Sequence, residues 1–352
     1  MGRRAAWCRY RLDFRFVART SRETMTSKDT YFLKLWDDTA PEVFGIGECG
    51  LFRGLSADDR PDYEQRLDAL CRAINRGEEP SAGGYSSITM GYETALADFA
   101  RGGRRIVFDS PWVYGDGQLT INGLVWMGSP DEMLRRIDEK LSSGFRCLKM
   151  KIGGVGFEDE LKLIAHIRSA FGSDCLTLRV DANGAFSPAD ALDRLDRLAR
   201  FDIHSIEQPV RAGQPEEMAR ICGASPIPVA LDEELIGIDD DRDKIRLLST
   251  VRPRYIILKP TLAGGFASSM AWIEAAEALG IGWWVTSALE SNIGLNAIAQ
   301  WAATLDVEMP QGLGTGQLYH NNIVSPLRLD GDRLYSDPDG RWEIPQLQWI
   351  EP

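Results

Sequence analysis

From Leu119 onward, eight short apolar runs recur at intervals of roughly 24 to 30 residues, each followed by a loop and an amphipathic helical stretch. They are LTINGLVWM from Leu119, CLKMKI from Cys147, LTLRVDAN from Leu176, HSIEQP from His204, PVALDE from Pro228, YIILKP from Tyr255, GWWVTSA from Gly282, and a weak eighth around Gly312. Near-equal βα repeats of this number favour a parallel sheet closed into a barrel. A doubly wound open sheet competes, yet no GxGxxG turn follows the first strand of either half.

The first hundred or so residues differ in texture. Period-2 segments, RYRLDFRFV from Arg9, TYFLKLW from Thr30 and VFGIGE from Val43, predict an antiparallel meander. Helical patterns follow from Ser56 to about Asn75 and from Ser87 to about Arg101. The division expected is therefore an α+β domain over 1–115, a barrel over 116–325, and a C-terminal return over 326–352 that contains an Asp330-Gly331 hairpin turn.

Composition narrows the function classes. The 352 residues carry 40 Lys and Arg against 52 Asp and Glu, a formal net charge of −12 that should repel phosphate backbones and anionic membranes. No nucleic-acid partner is expected. Arg9, Arg11, Asp13 and Arg15 interrupt any signal-peptide core, and Glu274 and Glu277 break the most apolar later stretch, so a cytoplasmic protein without a membrane span is expected. Six scattered cysteines without a CxxC pair read as reduced, packed thiols. Oligomeric state is left open, a homo-oligomer included.

In a barrel the active site gathers at the C-terminal ends of the strands. Lys149 and Lys151 stand there on the second run, Asp181 and Asn183 on the third, Glu207 on the fourth, Asp232 and Glu233 on the fifth, and Lys259 on the sixth. Asp181, Glu207 and Asp232 are 26 and 25 residues apart, one per βα unit, so adjacent strands deliver one carboxylate each to the same ring. Such carboxylates would repel one another without a cation between them, and oxygen-only ligands suit Mg²⁺ or Mn²⁺. His166, His204 and His320, unpaired in spacing, give an imidazole metal site little support. Lys149 and Lys151, two apart on a strand, share a face, and Lys151 and Lys259 come from strands across the barrel, so the latter two are candidates for acid and base on opposite sides of a substrate.

Taken together, LKMKIG (148–153), RVDANGAF (179–186), IEQP (206–209), ALDEE (230–234), ILKP (257–260) and SALESNIGL (287–295) resemble the enolase superfamily in its muconate-lactonizing-enzyme-like branch, over essentially the whole chain. The resemblance implies an α/β fold, a (β/α)7β-type TIM barrel with an N-terminal α+β capping domain completed by the C-terminal tail. It implies Mg²⁺ on Asp181, Glu207 and Asp232, Lys151 as general acid/base with Lys259 as its counterpart, and abstraction of a proton α to a carboxylate. Lys149, Asn183 and Glu233 would support these groups.

Several activities share the motifs. Dipeptide epimerases of the branch typically carry an Asp-x-Asp pair after the eighth strand, where this chain has Gly312-Leu313-Gly314-Thr315-Gly316. INGLVWMG (121–128), GECGLFRGLS (47–56), SALESNIGLNAIAQW (287–301) and GLGTGQLYHNN look most like o-succinylbenzoate synthases, which dehydrate a succinyl-bearing cyclohexadiene carboxylate. That resemblance implies a small-molecule carboxylate substrate, with Ser287, Ser291, Gly314 and Thr315 admitting its succinyl tail. Arg19, Thr20, Met25 and Lys28 fall in the loop expected after the first capping-domain strand, which resembles the mobile lid of the superfamily, and Asn122 and Trp126 are candidates for the pocket wall. The alternatives are an N-succinylamino acid racemase or dipeptide epimerase using both lysines as bases, and a non-catalytic binding barrel.

Overall fold

The structure, a computed structural model, describes residues 2–19, 24–154 and 156–352. The chain opens with three antiparallel strands, β1 (Arg3–Arg19), β2 (Thr24–Asp37) and β3 (Ala40–Cys49), paired in that order. Two helices follow, α1 (Tyr63–Asn75) and α2 (Ser86–Ala100). Gly45 and Gly47 let β3 lie directly on α2: a Cβ on Gly47 would come within 1.9 Å of the Gly91 carbonyl oxygen, and one on Gly45 within 2.0 Å of that of Ala95. Their pattern reflects backbone contact between strand and helix, where side chains leave no room.

The strands β4 (Leu119–Thr120) and β5 (Gly123–Val125) divide the first apolar run, and the helix α3 (Pro130–Ser142) follows. Ser129 and Glu132 close a capping box over its first turn and Pro130 opens it, which is why the helix starts where it does. The βα units then proceed through β6 (Cys147–Lys151), α4 (Phe157–Ala170), β7 (Thr177–Asp181), α5 (Ala191–Ala199), β8 (Ser205–Glu207), α6 (Pro215–Ala224) and β9 (Val229–Leu231). They continue through α7 (Asp241–Val251), β10 (Tyr255–Leu258), the short α8 (Pro260–Ala263), α9 (Gly265–Ala278), β11 (Gly282–Val285) and α10 (Asn292–Ala302).

Strands β5 to β11 form one parallel, curled sheet in sequence order. The weak eighth run is reduced to Gln311 and Gly312, which bridge in parallel to Ile121 on one side and Thr286 on the other, joining the two edges of the sheet. The fold is thus the (β/α)7β barrel with a capping domain that the sequence led us to expect. Alternation sorts the strands: Leu148, Met150, Leu178, Val180, Ile206 and Leu258 pack into the layer between sheet and helices, with Ile164, Leu195 and Met218 on the helical side. Each such buried aliphatic side chain contributes about 1.5–3 kcal/mol. The intervening positions point to the barrel axis, where Ala230, Ile257 and Trp284 fill a separate cluster below the site.

After the barrel, β12 (Leu327–Asp330) and β13 (Arg333–Ser336) form the hairpin, and β13 pairs with β4. The last residues reach the capping sheet: Ile350 bridges to Trp7, and Trp342, Ile344 and Trp349 pack against Cys8, Phe32 and Ile46. The described cysteines are free. No helix among the described residues is long and apolar enough to cross a membrane.

Candidate active site

The parallel register lines up the polar strand ends. Lys149 pairs with Arg179 and Lys151 with Asp181 across β6 and β7, and Asp181 pairs with Glu207 across β7 and β8. Lys151 Nζ donates to Asp181 Oδ2 and to Asn183 Oδ1, each at 2.6 Å. Lys149 Nζ bridges Glu207 Oε2 at 2.9 Å and Asp181 Oδ2 at 3.2 Å. From the other side of the ring Lys259 donates to Asp232 Oδ2. All three carboxylates are buried, at 0–2% exposure, so their charges require these partners.

Asn183 adopts φ +45°, which turns its backbone N–H onto Asp181 Oδ1 at 3.0 Å and its side-chain amide onto Glu233 Oε1 at 2.9 Å. Asn tolerates this left-handed conformation better than most residues. Gln208, at φ +40°, does comparable work for the next strand: its Oε1 accepts from the Asp232 and Glu234 backbone amides, and its amide donates to Val210 O and Glu234 Oε2. The IEQP segment carries that signal, but nothing about a glutamine after Glu207 distinguishes it in sequence from a solvated side chain.

The electrostatics follow the geometry. Burial would push the Asp181 carboxyl up, but Lys151 and Lys149 outweigh it and hold the group well below the usual range. Glu207 is driven the other way, by burial first and then by the Asp181 charge. Lys149 and Lys259 stay charged to higher pH than ordinary lysines, since the carboxylates around them overcome the burial that would discharge them.

Among the described residues, Glu207 Oε1 is buried without a hydrogen-bond partner. An all-oxygen donor set with an orphaned buried oxygen in it suits a hard divalent cation. Among the described residues no three acidic, histidine or cysteine side chains close on one point as a finished cage. Lysine ammoniums instead take up Asp181 Oδ2, Glu207 Oε2 and Asp232 Oδ2.

Above the ring lies a cavity of about 310 Å³ lined by Lys149, Lys151, Asn183 and Lys259 together with Asn122, Trp126, Ser287, Gly314 and Thr315. Ser287 and Thr315 hydroxyls are 2.6 Å apart. Ser291, expected as a contact for the substrate tail, is not part of this lining. Its hydroxyl caps α10, accepting from the Ile293 amide, and donates to Glu48 at 2.5 Å, so its polar capacity is used inside the protein.

The capping domain supplies Phe16, Phe52 and Leu55 to the same cavity, none of which sequence reasoning singled out. Of the four residues placed in a lid, Arg19 ends β1, Met25 and Lys28 lie on β2, and Thr20 lies outside the described residues. Lys28 is 7% exposed and donates to the Leu289 carbonyl at 3.1 Å.

This combination, a (β/α)7β barrel with acidic and basic strand ends facing a capped cavity, has known counterparts. The profile of the family described as enolase C-terminal domain-like matches residues 132–346. The chain belongs to the enolase superfamily, in its muconate-lactonizing-enzyme-like branch. It is 44% identical to the o-succinylbenzoate synthase of Desulfotalea psychrophila over 368 aligned positions, spanning 95% of this chain and 99% of that protein. The crystal structure of MenC from the same organism superposes with a TM-score of 0.85 at 42% identity, covering 95% of this chain and 100% of that one. The substrate-liganded L-Ala-D/L-Glu epimerase from Bacillus subtilis superposes at 0.80 with 22% identity over 96% of each chain, a likeness of fold alone. Among the activities of these relatives, o-succinylbenzoate synthase is the one best supported for this chain.

Proposed function

We propose that this protein is a lyase, an o-succinylbenzoate synthase that dehydrates 2-succinyl-6-hydroxy-2,4-cyclohexadiene-1-carboxylate to o-succinylbenzoate for menaquinone biosynthesis. The observation that carries the reading is the juxtaposition of Lys151 and Lys259, from strands on opposite sides of the ring, on one cavity above three buried carboxylates. The 44% identity to a synthase over nearly the full length of both chains selects dehydration among the chemistries such a site could run. Gly312 to Gly316 offers no carboxylate for a substrate ammonium, which argues against a dipeptide substrate.

In this reading Asp181, Glu207 and Asp232 hold Mg²⁺, or Mn²⁺ in its place. A divalent cation there offsets the negative charge that develops on the substrate carboxylate as its α-proton leaves. Lys151, in its neutral form, takes that proton onto Nζ. The electron pair left behind expels the hydroxyl at C6, and the Lys151 ammonium returns the proton to it as water departs from the same face. The ring becomes aromatic and Lys151 is regenerated, so protons and charge balance over the cycle. Lys259 stays protonated, a role its raised pKa supports, and faces the developing anion from the opposite side. Asn183 orients Lys151 through its Oδ1, and Lys149 neutralises Asp181 and Glu207 from below.

Ser287, Gly314 and Thr315 are proposed to receive the succinyl arm. A soluble cytoplasmic enzyme with no nucleic-acid partner accords with the net charge of −12. Retention of both lysines also favours a second reading, N-succinylamino acid racemisation, in which each lysine serves one enantiomer. Proton NMR in D₂O separates the two. The synthase reading requires rapid conversion of the cyclohexadiene with little α-deuteration of N-succinylamino acids, and dominant α-deuteration of those amino acids would replace it.

A further inference from the structure

The segment after β11 forms one wall of the cavity through Ser287, Ala288 and Leu289. Leu289 adopts φ +63°, a left-handed conformation that a non-glycine residue keeps where its surroundings over-determine it. The Leu289 carbonyl accepts from Tyr319 Oη at 2.7 Å and from Lys28 Nζ at 3.1 Å. The Ala288 amide donates to Glu290 Oε2 at 2.7 Å, and the Ser291 amide and hydroxyl donate to Glu48 at 2.9 and 2.5 Å.

Lys28 and Glu48 both come from the capping sheet, where Thr30 donates to Glu48 Oε1 at 2.7 Å. Lys28, Glu48 and Glu290 are 7%, 1% and 0% exposed. If the capping sheet merely rested on the barrel, apolar side chains would serve at lower desolvation cost. Glu48 and Glu290 supply the opposite charge that a buried Lys28 needs, and its one hydrogen bond among the described residues goes to the carbonyl of a strained, cavity-lining residue, which gives it a more specific use.

We propose that Lys28 is a positioning residue that reaches from the capping sheet to fix the Leu289 carbonyl, and thereby sets the wall against which the succinyl arm of the substrate lies. The identity of the arm rests on the synthase reading above; the link between capping sheet and wall does not. Lys28 touches no reacting atom in this account. It acts through Leu289, with Tyr319 as the second donor to the same oxygen.

The test compares wild type, Lys28→Met, Lys28→Arg and Tyr319→Phe in two measurements. In steady-state dehydration with saturating Mg²⁺, Lys28→Met is expected to raise KM about tenfold while kcat stays within about threefold, and Lys28→Arg to recover most of the loss. In hydrogen–deuterium exchange without substrate, amides of 287–292 should exchange faster in Lys28→Met and return toward the wild-type rate in Lys28→Arg, with the other barrel strands unchanged.

Unchanged exchange over 287–292, or faster exchange spread evenly over the barrel, would overturn the proposal, as would a fall in kcat at constant KM. Should Lys28→Met not fold, Tyr319→Phe carries the same comparison. If wild type does not turn over the cyclohexadiene, the synthase reading fails and the exchange experiment alone decides the role of Lys28.

Discussion

Lys151 stands directly across from Asp181 in the register of β6 and β7, and its ammonium lies 2.6 Å from Asp181 Oδ2. The same carboxylate oxygen also takes Lys149 at 3.2 Å, so removing Lys151 leaves Asp181 paired. Lys151→Ala is therefore expected to lower kcat by a factor of about 10²–10⁴ or more while the thermal unfolding curve stays close to wild type. Turnover within a few-fold of wild type in a folded variant would remove Lys151 from the mechanism.

Asp232 differs from Asp181 in its partners, since Lys259 is the lysine bonded to it. Asp232→Asn keeps the shape and removes the charge. Calorimetric titration with Mg²⁺ should show affinity reduced by about 10–100-fold or more, with activity partly regained at high Mg²⁺. Unaltered Mg²⁺ affinity would mean that the cation, if one binds, sits elsewhere.

Gly47 faces the backbone of α2, and a methyl group there would overlap the Gly91 oxygen at 1.9 Å. Backbone cannot swing aside as a side chain can, so Gly47→Ala should destabilise the protein by at least about 1–3 kcal/mol in urea unfolding. A neutral substitution would show that α2 is not seated on β3 as described.

His204 stacks on Tyr255 with ring centroids 5.1 Å apart, below the site. Burial first, and then the Arg179 charge, hold its pKa down to about 4, against about 6.5 in an unfolded chain. Between these values the unfolded chain binds a proton that the folded protein does not, so this contribution to stability is full above pH 6.5 and is lost as pH falls toward 4. His204→Phe keeps the stacking and should flatten the loss of unfolding free energy between pH 7 and pH 4.5. An identical pH dependence in the two proteins would show that His204 is not held neutral.

The barrel and the charged strand ends were legible in sequence because both follow from periodicity: buried strands read as apolar runs, and a charge at the end of each run stands out against them. Lys149, Lys151, Asn183 and Lys259 accordingly line the cavity. What was hidden depends on contacts between distant segments. Phe16, Phe52 and Leu55 are ordinary apolar residues of the capping domain until the barrel mouth is placed beneath them.

Ser291 is placed at the substrate tail only by the resemblance of SALESNIGLNAIAQW (287–301) to the synthases. Its partner Glu48 lies 243 residues earlier, and no local pattern announces that pairing. Lys28 is expected in a lid loop by resemblance, whereas it lies on β2 and is buried between capping sheet and barrel. The left-handed turns at Asn183, Gln208 and Leu289 were likewise invisible, since none uses the glycine that usually marks such a position.

An ultraviolet assay of the purified protein with the succinyl-hydroxycyclohexadiene carboxylate, run with Mg²⁺ and again after EDTA treatment, bears on the whole reading at once. Rapid loss of the diene absorbance that disappears with EDTA and returns on adding Mg²⁺ is the expected result. A diene that persists in the presence of Mg²⁺, at protein concentrations where Lys151 and Lys259 are intact and the fold is verified, would contradict the assignment of dehydration to this site.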